Sequence, residues 1–590
     1  MVDNSTHQVS RDSCYHGKDT ILSNGRNGIF HQYLEITMAE REVSVLIGGR
    51  AGDGISSASQ IIAHLLARNG YHVHMYFDYP SLIKGGHNFA IVRAAEEEIG
   101  AVREQVDFIL ALNQETLDLH RHRLRDGGVA IYDTGTVKRA EGIGIPVKEI
   151  LAANEAPPVM GNSAIIGAFI RAAGLNWDTA TLVLKKSMPK ETEKNLRIAR
   201  RAYDLSEERK VVPLTGKPVL PVLTGNEAIS IGLVEADLEM YFSYPMSPTS
   251  NILHFLAGYA DELHIRVIQP ESEIAVILMA LGCSYAGTRA AVGTSGGGFC
   301  LMTESLSLAG IAELPVLVIL GQRTGPSTGL ATYSAQSDLH FALHAGHGEF
   351  PRLIIAPGDA GEARTWSRIA LDLAWKYQIP AILLPDRLIC EGLYSVEPDP
   401  GKRYAAGPVM ADPGVHPYLR YAHTDSGISP LRFPPAGGEI IRVNSHVHDP
   451  DGITAEETGV TREMADKRMK KMDGLAREVE GLNPVTIGGV PDAATALLCW
   501  GSTKGVCGEL AGKLGLRSIQ PVVLWPFPEK AFARAMEGVD KFYVVETNQT
   551  GQLAMLVSMF GYIPAGKVLK YDGRPFMVDE LEGLVNKVIS

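Results

Sequence analysis

The stretch Val43–Ile62, VSVLIGGRAGDGISSASQII, sets the pattern on which the chain is built. Its first five residues are mostly aliphatic and predict a buried β-strand. The glycine-rich turn Gly48–Gly54 follows directly, and the apolar residues after it fall on one face of a helix that ends at Asn69-Gly70. A strand, a tight turn and an amphipathic helix in this order are typical of a doubly wound parallel α/β sheet.

The same alternation recurs along the 590 residues and predicts an α/β protein with three doubly wound parallel-sheet domains. The predicted division is a flexible leader (1–41), a first α/β domain (42–212), a second α/β domain (213–395), an extended linker (396–484) and a third α/β domain (485–590). Three prolines within 213–221 indicate the boundary between the first two domains. The most apolar run, Ile274–Gly287, is shorter than the ~20 residues that a bilayer core requires. It therefore predicts a buried helix rather than a membrane span.

Composition and charge exclude several classes of protein. A hydrophobic fraction of 45% and a charged fraction of 21% are those of a globular chain, not of a disordered or fibrous one. A net charge of −12 disfavours a nucleic-acid partner, because phosphate contacts need clustered Lys and Arg. The six cysteines are scattered without a CxxC pair, which disfavours a structural zinc, an iron–sulfur cluster held by this chain alone and a secreted disulfide framework. The sequence therefore predicts a cytoplasmic location.

The glycine-rich turn leaves two interpretations open. A dinucleotide-binding fingerprint would read G-x-G-x-x-G, and here Ala51 stands where the middle glycine belongs, although Asp78 follows the next strand as a ribose-binding acid would. The other interpretation is a tight turn with a purely structural role. Gly52-Asp53-Gly54 also resembles the start of a magnesium-diphosphate motif, but the asparagine that this motif needs after a longer gap is missing. We therefore predict no diphosphate site in the turn.

Polar or glycine-rich loops follow four strands of the second predicted domain. They are Tyr244–Ser250, Pro270–Glu273, Thr294–Gly298 and Gln322–Gly329. Because ligands collect at the carboxyl ends of parallel strands, we expect these four loops to meet at one edge of the sheet. Ser247 lies between two prolines and presents a hydroxyl at a rigid turn. Glu273 begins a very apolar helix, so its carboxylate should lie near the interior, where a charge without a partner is costly.

The run His446-Val-His448-Asp449 contains residue types that bind metals. No third ligand stands at a recognisable spacing from it, so we predict no metal site in this chain. The role of the two histidines stays open.

At these motifs the chain resembles the 2-oxoacid:ferredoxin oxidoreductases, in particular the fused γ–α large subunit of the two-subunit kind. Residues 47–62 and 79–87 resemble the γ domain, and residues 225–228 with the four loops resemble the domain that binds the pyrimidine of thiamine diphosphate. Residues 525–528 and 546–553 resemble the transketolase C-terminal-like domain. The γ-then-α order implies an enzyme for 2-oxoglutarate or for a broad range of 2-oxoacids.

The resemblance implies the α subunit of an enzyme that converts 2-oxoglutarate, coenzyme A and oxidised ferredoxin into succinyl-CoA, carbon dioxide and reduced ferredoxin. It also implies thiamine diphosphate, Mg²⁺ and a [4Fe–4S] cluster, held mainly by a smaller β subunit, which explains why this chain lacks their motifs. The implied partners are that β subunit, in a heterodimer or a dimer of heterodimers, ferredoxin, the 2-oxoacid and coenzyme A, with no nucleic acid and no membrane. The oxoacid and the direction of the reaction in the cell stay open.

The resemblance also implies roles for individual residues. Glu273 aligns with the catalytic glutamate that bonds the aminopyrimidine ring of the cofactor and does acid–base work through it. Ser247 and Arg323 align with the hydroxyl and the basic residue beside the 2-oxoacid. Thr294 and Ser295 lie in a loop that is expected to contact the cofactor. The positions predicted to bind coenzyme A are Gly49, Gly52, Gly54 and Lys84.

Two departures from the family pattern bear on the substrate. The family commonly reads Thr-Gly-x-Pro-Thr followed by Lys or Arg, whereas Thr328–Tyr333 reads Thr-Gly-Leu-Ala-Thr-Tyr, so a second cation for a distal carboxylate is missing. The usual Thr-Ser-Gly-Pro-Gly loop is Thr-Ser-Gly-Gly-Gly over Thr294–Gly298. Two alternatives remain: an NAD-dependent dehydrogenase that uses Gly49–Gly54 and Asp78, and a non-catalytic assembly subunit. The dehydrogenase would leave two domains without a role. The presence of Glu273 disfavours the non-catalytic subunit.

Overall fold

The computed structural model describes residues 42–80, 86–398, 404, 406–435 and 438–589. The predicted leader (1–41) and Lys84 therefore lie outside the described residues. The strands of the described part form three sheets with helices packed against them, so the predicted α/β class is confirmed. The predicted boundaries between the domains of residues 42–590 stay a prediction.

The strands and helices follow one another in three stretches of the chain. Residues 42–204 contain β1 Glu42–Arg50, α1 Ile55–Arg68, β2 His72–Asp78, β3 His87–Ala95, β4 Val106–Ala111, α2 Gln114–His120, β5 Leu124–Asp133, β6 Ile143–Ile145, α3 Val147–Ala153, α4 Gly161–Ala172, α5 Trp177–Ser187 and α6 Thr192–Asp204. Residues 222–395 contain β7 Val222–Thr224, α7 Gly225–Glu235, β8 Met240–Ser243, α8 Ser250–Gly258, α9 Ala260–Leu263, β9 Arg266–Ile268, α10 Glu273–Ala286, β10 Ala290–Ser295, α11 Gly296–Ala312, β11 Val316–Gly321, α12 Leu339–His344, β12 Leu353–Ile355, α13 Ala360–Tyr377, β13 Pro380–Leu383, α14 Arg387–Glu391 and β14 Leu393–Ser395. Residues 458–589 contain α15 Thr458–Glu480, β15 Val485–Gly489, β16 Thr495–Leu498, α16 Thr503–Leu514, β17 Arg517–Pro521, β18 Val523–Trp525, α17 Glu529–Ala535, β19 Lys541–Glu546, α18 Gln552–Ser558, β20 Gly566–Leu569 and α19 Val578–Ile589.

The first sheet is mixed rather than parallel throughout. Its order is β6-β5-β4-β1-β3-β2-β14-β7. The pairs β1–β4, β4–β5 and β5–β6 are parallel, whereas β2–β3, β2–β14 and β14–β7 are antiparallel. Only residues 79–86 separate β2 from β3, which is too short for the crossover helix that a parallel pair needs. Two strands from later in the chain, β14 and β7, complete this sheet.

The second and third sheets are parallel except at one edge each. The second has the order β18-β12-β13-β11-β10-β8-β9, and only β18 runs antiparallel to its neighbour. The third has the order β15-β17-β16-β19-β20, with β15 antiparallel. All six residues of β11 are buried, as expected for a central strand with helices on both faces. The parallel strands of the second sheet bring the ends of β8, β10 and β11 to one edge.

Helix α10 departs from the prediction that Ile274–Gly287 is buried. One face of the helix is buried, including Glu273 and Ile277, but the other face is apolar and exposed. Ile274 is 48% exposed, and Leu278 and Met279 are 42% and 44% exposed. Hydrophobicity alone therefore gave the wrong answer for this face. No helix in the described part of the chain is both long enough and apolar enough to cross a membrane.

The long helix α15 is joined to the second sheet's helices by a buried ion cluster. The carboxylate of Glu313, at the end of α11, is 2.8 Å from Lys467 Nζ and also pairs with Lys471. Arg420 donates a hydrogen bond to the Glu313 carbonyl at 2.8 Å. Burial lowers the pKa of both lysines. The pKa of Lys471 falls to about 7, although the negative charge of Glu313 raises it. The polar helix predicted around 463–480 thus contributes charged residues to the interior.

Candidate active site

The polar loops after β8, β10 and β11 meet at the carboxyl edge of the second sheet, as the strand order predicts. Ser243 Oγ donates to the Gly293 carbonyl at 3.0 Å, which joins the ends of β8 and β10. Thr249 Oγ1 donates to the Thr294 carbonyl at 3.3 Å. Arg323 follows β11 and donates from Nη1 to the Ser247 carbonyl at 3.1 Å. These contacts link three of the four predicted loops.

Glu273 begins α10 and lies at the same edge. Its residue is only 4% exposed, so the carboxylate is inside the protein, as the apolar helix implied. Its Oε1 has no hydrogen-bond partner among the residues that the structure describes. A Cβ built on Gly298 would lie 2.6 Å from this oxygen and would also collide with Thr294 Oγ1. Glycine at 298 therefore allows the start of α11 to approach Glu273 and Thr294 closely.

A second unpaired polar atom belongs to the residue that follows Thr294. Thr294 and Ser295 end β10, and both are fully buried. The Ser295 hydroxyl has no hydrogen-bond partner in the described ranges, although Ser295 stands at the N-cap of α11. Buried polar atoms without partners are uncommon in native proteins and call for an explanation, such as a ligand. Two of them, from Glu273 and Ser295, lie where the predicted loops converge.

The structure adds Asp338, a residue that sequence reasoning missed. Its backbone N–H donates to Gln322 Oε1 at 3.1 Å, and a Cβ built on Gly296 would lie 3.1 Å from its Oδ2. Burial raises the pKa of Asp338 to about 6, although the positive charge of Arg323 lowers it. Burial has the opposite effect on the cation and lowers the pKa of Arg323. An aspartate before a short helix indicates only an N-cap, and Asp338 makes no such bond, so no sequence signal pointed to this position.

The glycine-rich turn of the first sheet forms a closed loop before α1. Gly52 and Gly54 have φ of 101° and 74°, a left-handed conformation that favours glycine. The Asp53 carboxylate accepts a hydrogen bond from the Arg50 N–H at 2.7 Å and lies 2.9 Å from a Cβ built on Gly49. Asp53 thus holds the turn together from within. The three glycines predicted for coenzyme A lie in this turn.

Comparison with known proteins bears on the same edge of the second sheet. Residues 44–205 match the family described as pyruvate ferredoxin/flavodoxin oxidoreductase, and residues 231–467 match that described as pyruvate flavodoxin/ferredoxin oxidoreductase, thiamine diP-bdg. The 2-oxoacid:ferredoxin oxidoreductase subunit alpha of Sulfolobus sp is 30% identical to this chain over an alignment of 616 positions that covers 93% of this chain and 97% of the relative. The chain belongs to the family of 2-oxoacid:ferredoxin oxidoreductase alpha subunits. The predicted family is thus confirmed, and this α subunit is part of an oxidoreductase.

Two further similarities concern 2-oxoglutarate enzymes. The 2-oxoglutarate:ferredoxin oxidoreductase from Magnetococcus marinus, solved with 2-oxoglutarate, coenzyme A and succinyl-CoA bound, is 27% identical to this α subunit. Its TM-score is 0.85, and the match covers 93% of this chain and 100% of that chain. The 2-oxoglutarate oxidoreductase subunit KorA of Mycobacterium tuberculosis is 30% identical over 382 residues, 62% of this chain and 57% of the relative. The first similarity extends to the whole three-sheet architecture.

The arrangement of the first sheet does not support the nicotinamide alternative for this α subunit. In a dinucleotide-binding fold the ribose-binding acid follows the strand next to the glycine turn. Here β3 lies between β1 and β2, so Asp78 stands two strands away from the turn after β1. Asp78 is buried and accepts hydrogen bonds from the hydroxyls of Tyr76 at 2.7 Å and Tyr333 at 3.4 Å. Its partners are therefore these two tyrosines and, at 3.6 Å, Arg574, rather than the glycine turn.

Of the two histidines in His446-Val-His448-Asp449, His448 makes ring contacts within the α subunit. The His448 ring stacks on Tyr421 with 3.8 Å between ring centres, and its Nε2 is 3.2 Å from the Ile311 carbonyl. In the described ranges, no group of three or more His, Cys, Asp or Glu side chains is placed to hold a metal ion. His448 thus anchors its loop to the end of α11.

Proposed function

We propose that this α subunit serves an enzyme that uses thiamine diphosphate to convert 2-oxoglutarate, coenzyme A and oxidised ferredoxin into succinyl-CoA, carbon dioxide and reduced ferredoxin. The observation that carries the proposal is the buried Glu273 carboxylate, whose Oε1 faces Gly298 and has no hydrogen-bond partner among the described residues. The choice of oxoacid is supported by the Magnetococcus marinus enzyme and the KorA relatives, which are named for 2-oxoglutarate.

Thiamine diphosphate fits the residues around Glu273. The free Oε1 offers an acceptor to a ring nitrogen or an exocyclic amine, and the absence of a side chain at Gly298 lets the start of α11 pack directly against Glu273. The Ser295 hydroxyl, one residue after Thr294, is a second buried polar group without a partner in the described ranges. When bound, the cofactor supplies the electron sink that decarboxylation of a 2-oxoacid requires. Glu273 then orients the ring and holds or returns one proton at Oε1, and its low-dielectric surroundings strengthen the hydrogen bond that it makes.

The remaining parts of the site are expected on a β subunit. The exposed apolar side chains of Ile274, Leu278 and Met279 lie on the helix that Glu273 begins, and Leu301 on α11 is 50% exposed. Exposed apolar groups that cluster in this way mark interaction surfaces. We expect the β subunit to cover this surface and to hold the diphosphate, Mg²⁺ and a [4Fe–4S] cluster, because this sequence lacks their motifs. The active unit is then a heterodimer or a dimer of heterodimers that reduces ferredoxin.

The substrates are assigned to two places in the α subunit. Arg323, beside the Ser247 turn, presents a planar guanidinium that suits the C1 carboxylate of a 2-oxoacid, with the Ser247 hydroxyl as a further donor. Coenzyme A is assigned to the glycine turn that precedes α1, whose backbone N–H groups suit phosphate. The positions concerned there are Gly49, Gly52, Gly54 and, outside the described residues, Lys84.

The proposal is tested with the α subunit co-expressed with its β subunit. The wild-type complex should reduce ferredoxin or a viologen dye only when both 2-oxoglutarate and coenzyme A are present. Glu273→Gln should assemble normally and lose roughly 10²–10⁴-fold in kcat, because the amide has the same shape but cannot take up a proton. Glu271→Gln is the matched control, since Glu271 is exposed and lies two residues away.

Two outcomes would contradict the proposal. An assembled Glu273→Gln complex with normal turnover would remove Glu273 from the chemistry. A wild-type complex that assembles but turns over no 2-oxoacid would favour the non-catalytic assembly subunit instead.

A further inference from the structure

A cation from the last stretch of the chain lies against the loop that follows Arg323. The guanidinium carbon of Arg574 is 4.8 Å from the centre of the Tyr333 ring. The Ser334 N–H donates to the Gly573 carbonyl at 2.9 Å, and a Cβ built on Gly573 would lie 2.9 Å from Tyr333 Cβ. One backbone hydrogen bond and the close approach of Gly573 to Tyr333 therefore hold Arg574 beside the Tyr333 ring.

Tyr333 belongs to the loop of the candidate active site. The Thr324 N–H donates to the Tyr333 carbonyl at 3.2 Å, and the Leu330 N–H donates to the Thr324 carbonyl at 3.0 Å. These bonds fold the loop back on itself and return Tyr333 to the strand end that carries Arg323. Thr324 Oγ1 also lies 3.3 Å from the Cβ built on Gly573. Arg574 thus directly follows Gly573, which lies against Thr324, the residue after Arg323.

The neighbours of Arg574 leave part of its guanidinium available. Its Nε forms an ion pair of 3.6 Å with Asp78 Oδ2, longer than an ordinary hydrogen bond, and Asp78 has a closer donor in the Tyr76 hydroxyl at 2.7 Å. Its Nη1 donates to the Asp572 carbonyl at 3.3 Å, whereas Nη2 makes no hydrogen bond to any described residue. The side chain is 49% exposed. A clamp that served only to join these segments would be expected to lie closer to Asp78 and to be more buried.

We propose that Arg574, stacked on Tyr333, binds an oxyanion of a substrate at the rim of the candidate active site. This inference rests on the proposed function, in which two substrates carry a suitable group: the distal carboxylate of a dicarboxylic 2-oxoacid and the phosphates of coenzyme A. A guanidinium held against an aromatic ring loses little freedom on binding and meets an oxyanion with two parallel hydrogen bonds. Tyr333 carries no charge of its own, so Arg574 supplies the cation at this point.

The test compares substrates that differ by one anionic group, in the complex of the α subunit with its β subunit. The KM values of Arg574→Gln are measured for 2-oxoglutarate and pyruvate, and for coenzyme A and pantetheine, which has the thiol but no phosphate. A carboxylate ligand predicts a rise of roughly ten- to a hundredfold for 2-oxoglutarate and none for pyruvate. A phosphate ligand predicts a rise of the same size for coenzyme A and none for pantetheine.

The controls separate binding from folding. Arg534→Gln changes an exposed arginine of the same stretch and should leave all four KM values unchanged. Arg574→Lys keeps the charge but loses the planar guanidinium. It should raise the KM of the same substrate as Arg574→Gln does, by a smaller factor. If Arg574→Gln does not assemble, Arg574→Lys must show that pattern, or the inference is wrong.

Two results would overturn the inference without touching the proposed function: unchanged KM values in Arg574→Gln, or an equal loss with all four substrates. If the wild-type complex turns over no 2-oxoacid, the proposed function fails instead. Calorimetric titration of 2-oxoglutarate and coenzyme A into the wild-type and Arg574→Gln complexes then decides the inference by itself, because an oxyanion site requires weaker binding of one of them to the variant.

Discussion

Replacing Glu313 by glutamine should destabilise the protein strongly, because it leaves two buried lysines without their anion. The Glu313 side chain is 1% exposed, and those of Lys467 and Lys471 are 2% and 1% exposed, so water cannot replace the lost carboxylate. A buried charge without a partner loses its proton instead of staying ionised. The cost of removing that proton therefore sets an upper limit on the loss of stability for each lysine.

The limit can be worked out from the two lysines. Removing a proton at pH 7.5 from a lysine of ordinary pKa 10.4 costs about 4 kcal/mol, at 1.36 kcal/mol for each pH unit. Burial already lowers the pKa of Lys471 to about 7, so that lysine has little charge left to lose. The expected loss is therefore that of Lys467 alone, about 3–4 kcal/mol, which agrees with the 3–5 kcal/mol that a broken buried pair typically costs.

The assay is urea unfolding of the Glu313→Gln chain at pH 7.5 and pH 9.5, followed by circular dichroism. Between the lowered pKa of the buried lysine and 10.4, the unfolded state binds more protons, so raising the pH stabilises the variant relative to wild type. At pH 9.5 the limit falls to about 1 kcal/mol for Lys467. The exposed Glu262→Gln is the control. A variant within about 1 kcal/mol of wild type at pH 7.5, or a deficit that does not shrink at pH 9.5, would refute the reasoning.

Three further predictions concern the site and the partner. Asp338→Asn should stabilise the chain by about 1–3 kcal/mol at pH 8. Burial raises the pKa of the carboxyl from 3.8 to about 6, so the folded state of the wild type loses stability as the pH rises through this range and the side chain ionises. The gain in the variant should therefore vanish near pH 4 in unfolding curves. Arg323→Lys should raise the KM for the 2-oxoacid by roughly ten- to a hundredfold in steady-state kinetics and leave that for coenzyme A unchanged, whereas weaker subunit association with normal kinetics would make Arg323 an interface residue. The purified α subunit without its partner should be colourless and inactive, and a brown chromophore in its visible spectrum would contradict the assignment of the cluster to the β subunit.

The central strands and the meeting of the loops could be predicted because both follow from local sequence. Aliphatic runs such as Val316–Gly321 are buried on both faces and leave no choice but a central strand. Once the strands are parallel, the residues after β8, β10 and β11 must share an edge. The burial of Glu273 followed from the apolar helix that it begins. Its role toward the cofactor remains a prediction.

The features that could not be predicted depend on contacts between distant parts of the chain. Strands β7 and β14 have three residues each and show no periodicity, so nothing local indicates that they join the first sheet. The exposed face of α10 is as apolar as its buried face, and composition cannot distinguish the two. Arg574 gains its place beside Tyr333 only after the third sheet has packed on the second. Asp338 is likewise recognisable only from the positions of Arg323 and Gly296.

The way in which β14 joins β2 limits how the gene for this protein can be divided. A break after residue 212 would remove β7 and β14 from the first sheet and uncover β2, whose pairing with β14 includes a hydrogen bond from the Val73 N–H to Ser395 Oγ at 2.9 Å. An uncovered edge of seven residues, HVHMYFD, is a template for aggregation. The two fragments, made separately, should therefore precipitate or require a chaperone. Made together, they should reassemble by addition of the missing strand, in the manner of β-augmentation.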